Sequence, residues 1–128
     1  MKNNSKIWLS YAIENIQGAK IVLESKLFNL CLQNCQQGAE KLLKSLLINN
    51  EIAIQKTHSI MELVNLLRQH NISINIDPDD IDLLDSIYLP SKYPLESALP
   101  SYYPTENICQ KCIEIVDSLK SEIEAQLL

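Results

Sequence analysis

The sequence predicts an all-α fold, an antiparallel up-and-down bundle of four to five helices with a long tyrosine- and proline-rich loop before the last helix. Apolar residues recur at helical rather than alternating spacing through most of the chain. Glycine occurs twice in 128 residues, so turns are few and regular structure is long. Four of the five prolines crowd into one stretch near the C-terminal third, where they interrupt an otherwise helical pattern.

The first helix is expected over about residues 6 to 25, where Trp8, Ala12, Ile16, Ala19 and Val22 or Leu23 step along one face. A second, from about 28 to 49, carries a stronger stripe of Phe28, Cys31, Cys35, Ala39, Leu42 and Leu46. Its polar residues Gln33, Gln37, Lys41 and Lys44 face elsewhere. Asn49 and Asn50 are expected to stop it, because asparagine tolerates the left-handed conformation that ends helices. Ser59 and Glu62 have capping-box spacing ahead of Ile60, Leu63, Val64 and Leu67, which starts a shorter third helix. Asn71 to Ile76 alternates isoleucine with polar residues, but a lone strand is not stable, so it reads as an extended connector. Asp77 then Pro78 supply a capping carboxylate and a proline where no backbone donor is missed, opening a fourth helix that runs to about Ile87. The last helix begins after Pro104 with Thr105 as cap and presents Ile108, Cys112, Ile115 or Val116, Leu119 and Ile123. Short links favour antiparallel neighbours.

Residues 88 to 104 hold prolines 90, 94, 100 and 104 and four of the five tyrosines. An irregular segment of that length in a compact domain is usually functional or a lid. It is therefore the first place to seek a site.

Composition, 46% hydrophobic and 21% charged, fits a single folded domain over 1–128 and argues against disorder. Nothing in the sequence approaches the roughly 20 apolar residues of a membrane span, and the short polar N-terminus does not resemble a secretory leader, so a cytoplasmic address is expected. A net charge of -5 repels a phosphate backbone, which confines any nucleotide or RNA contact to a local patch. Four cysteines without a leader are expected to be reduced thiols. Cys31 with Cys35 and Cys109 with Cys112 have spacings that put each pair on one helical face, as a Cys₄ zinc site requires. All four also lie on apolar stripes, where cysteine behaves as a small hydrophobe, so no metal is assigned.

Four segments in order resemble the HEPN domain family over nearly the whole chain. Trp8 to Ser25, with Ala19-Lys20-Ile21-Val22-Leu23-Glu24, is similar to the family's opening helix and its AKxxLE step. Gln36-Gln37-Gly38-Ala39-Glu40-Lys41-Leu42-Leu43-Lys44 resembles its QQAxEKxLK segment. Thr57-His58-Ser59-Ile60, with Leu63, Leu66 and Leu67, resembles its THxL approach to helix three, and Tyr88-Leu89-Pro90-Ser91-Lys92-Tyr93-Pro94 its Y-x-P-x-R-Y-P loop. The resemblance implies a helical bundle, commonly a homodimer, often paired with a small nucleotidyltransferase, and in some members a metal-independent ribonuclease of toxin modules. Those ribonucleases carry Arg-x(4-6)-His at the dimer interface. Here the single arginine is Arg68 and the histidines are His58 and His70, so that motif is absent. Lys92 replaces the loop arginine, keeping charge but losing the planar fork that grips phosphate. Further departures are Asn15, where many members carry aspartate, and Gly38 in place of alanine.

No catalytic residue and no cofactor are assigned. The candidate nucleotide- or partner-binding residues are Gln37, Glu40, Lys41, Lys44, His58, Lys92 and Tyr93. Against them stand plainer roles: a solvated face for Gln36, Gln37, Glu40, Lys41 and Lys44, a capping or packing role for His58, and tyrosines that pack the loop onto the bundle. His70, ending helix three, suits the helix dipole. The expected function is a non-catalytic, homodimeric partner or nucleotide-binding subunit of a nucleotidyltransferase module. Its alternatives are a ribonuclease toxin with a non-standard site, such as Lys92, Tyr102 and His58, or a loop tyrosine that accepts nucleotidyl groups.

Overall fold

The computed structural model describes residues 2–54, 56–92 and 104–127, and among these the chain forms five helices and no strand. They are α1 (Lys2–Glu24), α2 (Phe28–Asn49), α3 (Ile60–Gln69), α4 (Pro78–Lys92) and α5 (Glu106–Leu127). Helix α2 is central and packs against the other four. Its buried positions therefore spread well beyond one stripe, taking in Cys31, Leu32, Cys35, Ala39, Leu42, Leu43, Leu46 and Leu47. Ala12, Ile16 and Ala19 of α1 and Val116, Leu119 and Ile123 of α5 close one continuous apolar core around it. None of the described helices is long and apolar enough to cross a membrane.

Helices α1 and α2 run antiparallel, with Trp8 near Lys44 and Asn15 bonded to both Lys41 and Asn34. At their contact a side chain on Gly38 would put its Cβ 3.1 Å from Ile16 and 3.5 Å from the Ala12 carbonyl. The close approach accounts for a residue that otherwise costs about 1 kcal/mol in a helix interior. Lys20 pairs with Asp117 at 3.0 Å and Lys26 with Glu106 at 3.7 Å, so α5 descends along α1 and points the same way as α2.

Three helices end alike. After α1, α2 and α3 the chain passes through Lys26, Glu51 and Asn71 at φ of 60°, 59° and 62°. Each time the next residue, Leu27, Ile52 or Ile72, donates its N–H to a carbonyl five positions back, at 3.0, 2.9 and 3.0 Å. This is the Schellman arrangement, with an apolar residue just beyond the left-handed one. The left-handed position after α2 is thus Glu51, not Asn49 or Asn50; Asn50 instead donates its side-chain amide to the Leu46 carbonyl at 2.8 Å.

The third helix starts at the expected cap, Ser59, whose hydroxyl accepts from Glu62 N–H at 3.2 Å. Glu62 does not close the reciprocal half of a capping box, because its carboxylate takes the Thr57 hydroxyl instead. A carboxylate from another helix finishes the cap: Asp85 of α4 accepts from the N–H groups of Ile60 at 2.6 Å and Met61 at 3.1 Å, and from the Ser59 hydroxyl at 3.3 Å. Thr105 caps α5 as expected, accepting from Ile108 N–H at 3.2 Å.

The connector 72 to 77 has no regular secondary structure, and its Ile74 and Ile76 are buried. Side chains rather than a second strand satisfy its backbone. Glu122 accepts from Asn75 N–H, Gln126 donates to the Ser73 carbonyl, and Arg68 donates to the Ile74 carbonyl at 2.9 Å.

Helix four corrects the sequence reading. It runs through Pro90 to Lys92, five residues past Ile87, and carries Tyr88 on the helix rather than in a loop. A single proline removes one donor and crowds one carbonyl, which bends a helix without ending it while its neighbours keep helical geometry. Tyr93, Pro94, Pro100, Tyr102 and Tyr103 lie outside the described residues.

Two stability outcomes follow from these junctions. Glu51→Gly removes the steric cost of a left-handed side chain and is expected to raise stability by about 0.5–1 kcal/mol in urea unfolding. Asp85→Ala strips two backbone donors and one hydroxyl of their acceptor and is expected to cost about 1–3 kcal/mol, with Asp85→Asn intermediate.

Candidate functional site

Because α2 is surrounded, three polar residues one turn apart on it are taken inside. Gln36, Glu40 and Lys44 are only 3%, 9% and 7% exposed. They are not the solvated face that spacing alone suggested. Glu40 is the hub: one carboxylate oxygen accepts from Lys44 Nζ at 2.9 Å, and the other accepts from His58 Nδ1 at 3.0 Å and more weakly from Gln36 Nε2 at 3.4 Å. The Lys44 ammonium also lies 5.8 Å from the centre of the Trp8 ring, whose negative face favours a cation. Burying a carboxylate and an ammonium costs several kcal/mol unless they are paired and hydrogen-bonded, as here.

His58 is brought to this hub by its own backbone. Its carbonyl accepts from Gln36 Nε2 at 3.1 Å, one residue before the Ser59 cap of α3. The imidazole packs 4.6 Å from the ring of Tyr88, tilted by 37°. Two hollows meet at this ring pair. One, about 220 Å³, is lined by Gln36, Gln37, Glu40, Lys41, His58 and Tyr88. The other, about 230 Å³, is lined by His58, Ser59, Asp85 and Tyr88.

Lys41 reaches across to α1, donating to the side-chain Oδ1 of Asn15 at 2.7 Å, while Nδ2 of the same amide donates to Asn34 Oδ1 at 3.0 Å. The Asn15 amide offers both an acceptor and a donor there, whereas an ionised carboxylate only accepts. An aspartate at position 15 would leave Asn34 without that donor.

Of the seven sequence candidates, the structure gathers Gln37, Glu40, Lys41 and His58 around one cleft, with Lys44 bonded to Glu40 but not lining it. Lys92 ends α4, one helical turn beyond Tyr88, and Tyr93 lies outside the described residues. Sequence reasoning missed Gln36 as a donor to His58, Trp8 as the cation's neighbour and Asp85 as the cap of α3. The first of these carried a signal, since Gln36 shares the i,i+4 row with Glu40 and Lys44.

The matching of a HEPN domain model to residues 5–126 decides the relationship. The chain belongs to the HEPN domain family. The crystal structure of an archaeal HEPN homologue superposes with a TM-score of 0.72 at 26% identity, covering 97% of this chain and 98% of that one. A protein from Thermus thermophilus gives a TM-score of 0.81 at 23% identity over 98% of this chain and 99% of its own, a likeness of fold. No curated protein sequence matches the chain.

In this HEPN domain the cysteines are core residues. Cys31, Cys35, Cys109 and Cys112 are free and fully buried, and Cys109 Sγ donates to the Phe28 carbonyl at 3.4 Å. Hydrogen bonding from Cys35 and, to a smaller extent, from Cys109 lowers the Cys31 thiol to about 7 against an opposing burial effect. Cys35 is raised, first by its bond to Cys31 and then by burial, while burial pushes Cys109 and Cys112 up to about 12. Among the described residues no group of three or more His, Cys, Asp or Glu converges in a way that holds a metal ion.

The pairing of Glu40 with Lys44 yields a test by double substitution. Glu40→Ala alone leaves a buried ammonium and is expected to cost on the order of 3 kcal/mol. Adding Lys44→Met removes that charge and should recover part of the loss, read as a positive coupling energy in urea unfolding.

Proposed function

We propose that this HEPN domain is a binding subunit without an RNA-cleaving site of its own, homodimeric, and the partner of a minimal nucleotidyltransferase, with a nucleotide held beside His58. The observation that carries this reading is the cleft between α2 and α4. Lys41 supplies charge for a phosphate, Gln37 donors and acceptors, and the His58 and Tyr88 rings a surface on which a base stacks. The molecule as a whole is acidic, so a small nucleotide suits this local patch better than a polyanion. Arg-x(4-6)-His is missing from the entire sequence, which leaves the metal-independent cleavage chemistry of HEPN ribonucleases without its charged and proton-transferring pair. Exposed apolar side chains along α1, Ile7, Tyr11 and Ile21, favour a protein contact on that face.

One observation favours the ribonuclease alternative, namely that a carboxylate orients His58, as a general base requires. Calorimetric titration with ATP and GTP separates the two. Binding by the native chain, weakened tenfold or more by Lys41→Ala or Tyr88→Ala, together with RNA left intact in metal-free buffer, supports the binding subunit. Undetectable nucleotide binding, or RNA cleavage abolished by His58→Gln, would refute it. Light scattering of the purified chain and co-purification with the product of any neighbouring nucleotidyltransferase gene test the assembly, and a strict monomer that captures no such enzyme defeats it.

A further inference from the structure

We infer that His58 is a phosphoryl acceptor, its Nε2 taking the γ-phosphoryl group of a nucleoside triphosphate bound in the adjoining cleft; the donor's identity rests on the nucleotide reading above. An ionised carboxylate only accepts hydrogen bonds, so Glu40 at 3.0 Å fixes the ring proton on Nδ1 and leaves the lone pair on Nε2. Lys44 holds the far carboxylate oxygen at 2.9 Å, and the Tyr88 ring 4.6 Å away restricts rotation of the imidazole. The side chain is nonetheless 57% exposed, and two hollows open at its edges. A nucleophile needs this combination of fixed tautomer, fixed orientation and access.

A purely structural tie explains less. The segment before α3 is already anchored through the His58 carbonyl to Gln36, through the Ser59 cap and through Asp85, none of which uses the imidazole. The other histidine provides the contrast. His70 is also exposed, and the Leu66 carbonyl fixes its ring proton on Nδ1 as well, but that partner carries no charge to offset a positive ring, and His70 borders neither hollow.

In the transfer, the Nε2 lone pair attacks the γ-phosphorus and a nitrogen–phosphorus bond forms. The bond from that phosphorus to the bridging oxygen breaks, and the nucleoside diphosphate leaves with the electron pair. The ring gains positive charge, offset by the Glu40 carboxylate, to which Nδ1–H continues to donate. Glu40 is thus a positioning residue, and Lys41 borders the space the phosphates would occupy.

The full-length chain is incubated with magnesium and ATP labelled at the γ- or α-phosphorus, and separately with phosphoramidate, which needs no nucleotide site. The expected adduct carries γ-label, is labile in acid and stable in base, maps to His58 by mass spectrometry, disappears in His58→Gln and persists in His70→Gln. Glu40→Gln, with its fold checked by circular dichroism, is expected to slow labelling tenfold or more at an unchanged affinity for the non-hydrolysable analogue AMP-PNP. Phosphoramidate is expected to modify His58 well ahead of His70. If AMP-PNP binds but no γ-label appears, or if label enters from the α-phosphorus, the acceptor role is overturned while nucleotide binding stands. Equal phosphoramidate labelling of the two histidines overturns it independently. Selective labelling of His58 by phosphoramidate without AMP-PNP binding would instead keep the nucleophile and remove the nucleotide.

Discussion

The molecule is organised around a carboxylate that cannot be left alone. Glu40 sits on the one helix that every other helix touches, so its charge is largely withdrawn from water, and an isolated carboxylate there would cost several kcal/mol. Its satisfaction draws in three further groups. Lys44 comes from the next turn of the same helix, Gln36 from the preceding one, and His58 from a segment eighteen positions further along the chain. The last bond is the consequential one, because it makes the internal polarity of α2 specify where the link to α3 must lie. Satisfying one buried charge and exposing one oriented imidazole are the same structural event.

Keeping that link in place falls to the helix ends. A Schellman turn at Glu51 sends the chain away from the axis of α2, and Ile52 returns apolar surface to the core. At the far end, the first N–H groups of α3 meet Asp85, whose negative charge also suits the positive end of that helix. Tyr88 lies three residues further along α4, so the carboxylate that fixes α3 also fixes the distance from α3 to the ring facing His58. The candidate site therefore inherits its geometry from α2, the start of α3 and α4 together, and disturbance of any one of them reaches it.

Much of this was legible in the residues. The apolar steps of α1, α2 and α5, the Ser59 and Thr105 caps and the Asp77-Pro78 start all fell where local chemistry puts them. Periodicity assigns a residue to a face, but it does not say how many faces are covered. For that reason Gln36, Glu40 and Lys44 read as an outward strip, although the strip turns inward under Trp8, His58 and Tyr88. Asp85 was similarly hidden, since a cap supplied by another helix leaves no local spacing to detect. The end of α4 escaped for the opposite reason: Pro90 is a strong local signal, and the neighbouring turn outweighs it. The four cysteines, by contrast, read as small hydrophobes on apolar stripes, and all four are buried.

Membership of the HEPN family and the lack of its ribonuclease motif belong together when charge is considered. A cleavage site for RNA needs cations that grip a polyanion and a proton carrier beside them. In this chain Lys44 is buried against Glu40, Lys41 is bonded to Asn15 while bordering the cleft, and the net charge is -5. Among the described residues, the cleft presents an imidazole with one nitrogen occupied, a tyrosine ring beside it and the Lys41 ammonium at the edge of a hollow of about 220 Å³. The helical frame of the family thus holds the polar cluster of α2 partly in its interior, at Glu40 and Lys44, and partly at a rim, where His58 and Lys41 border the cleft.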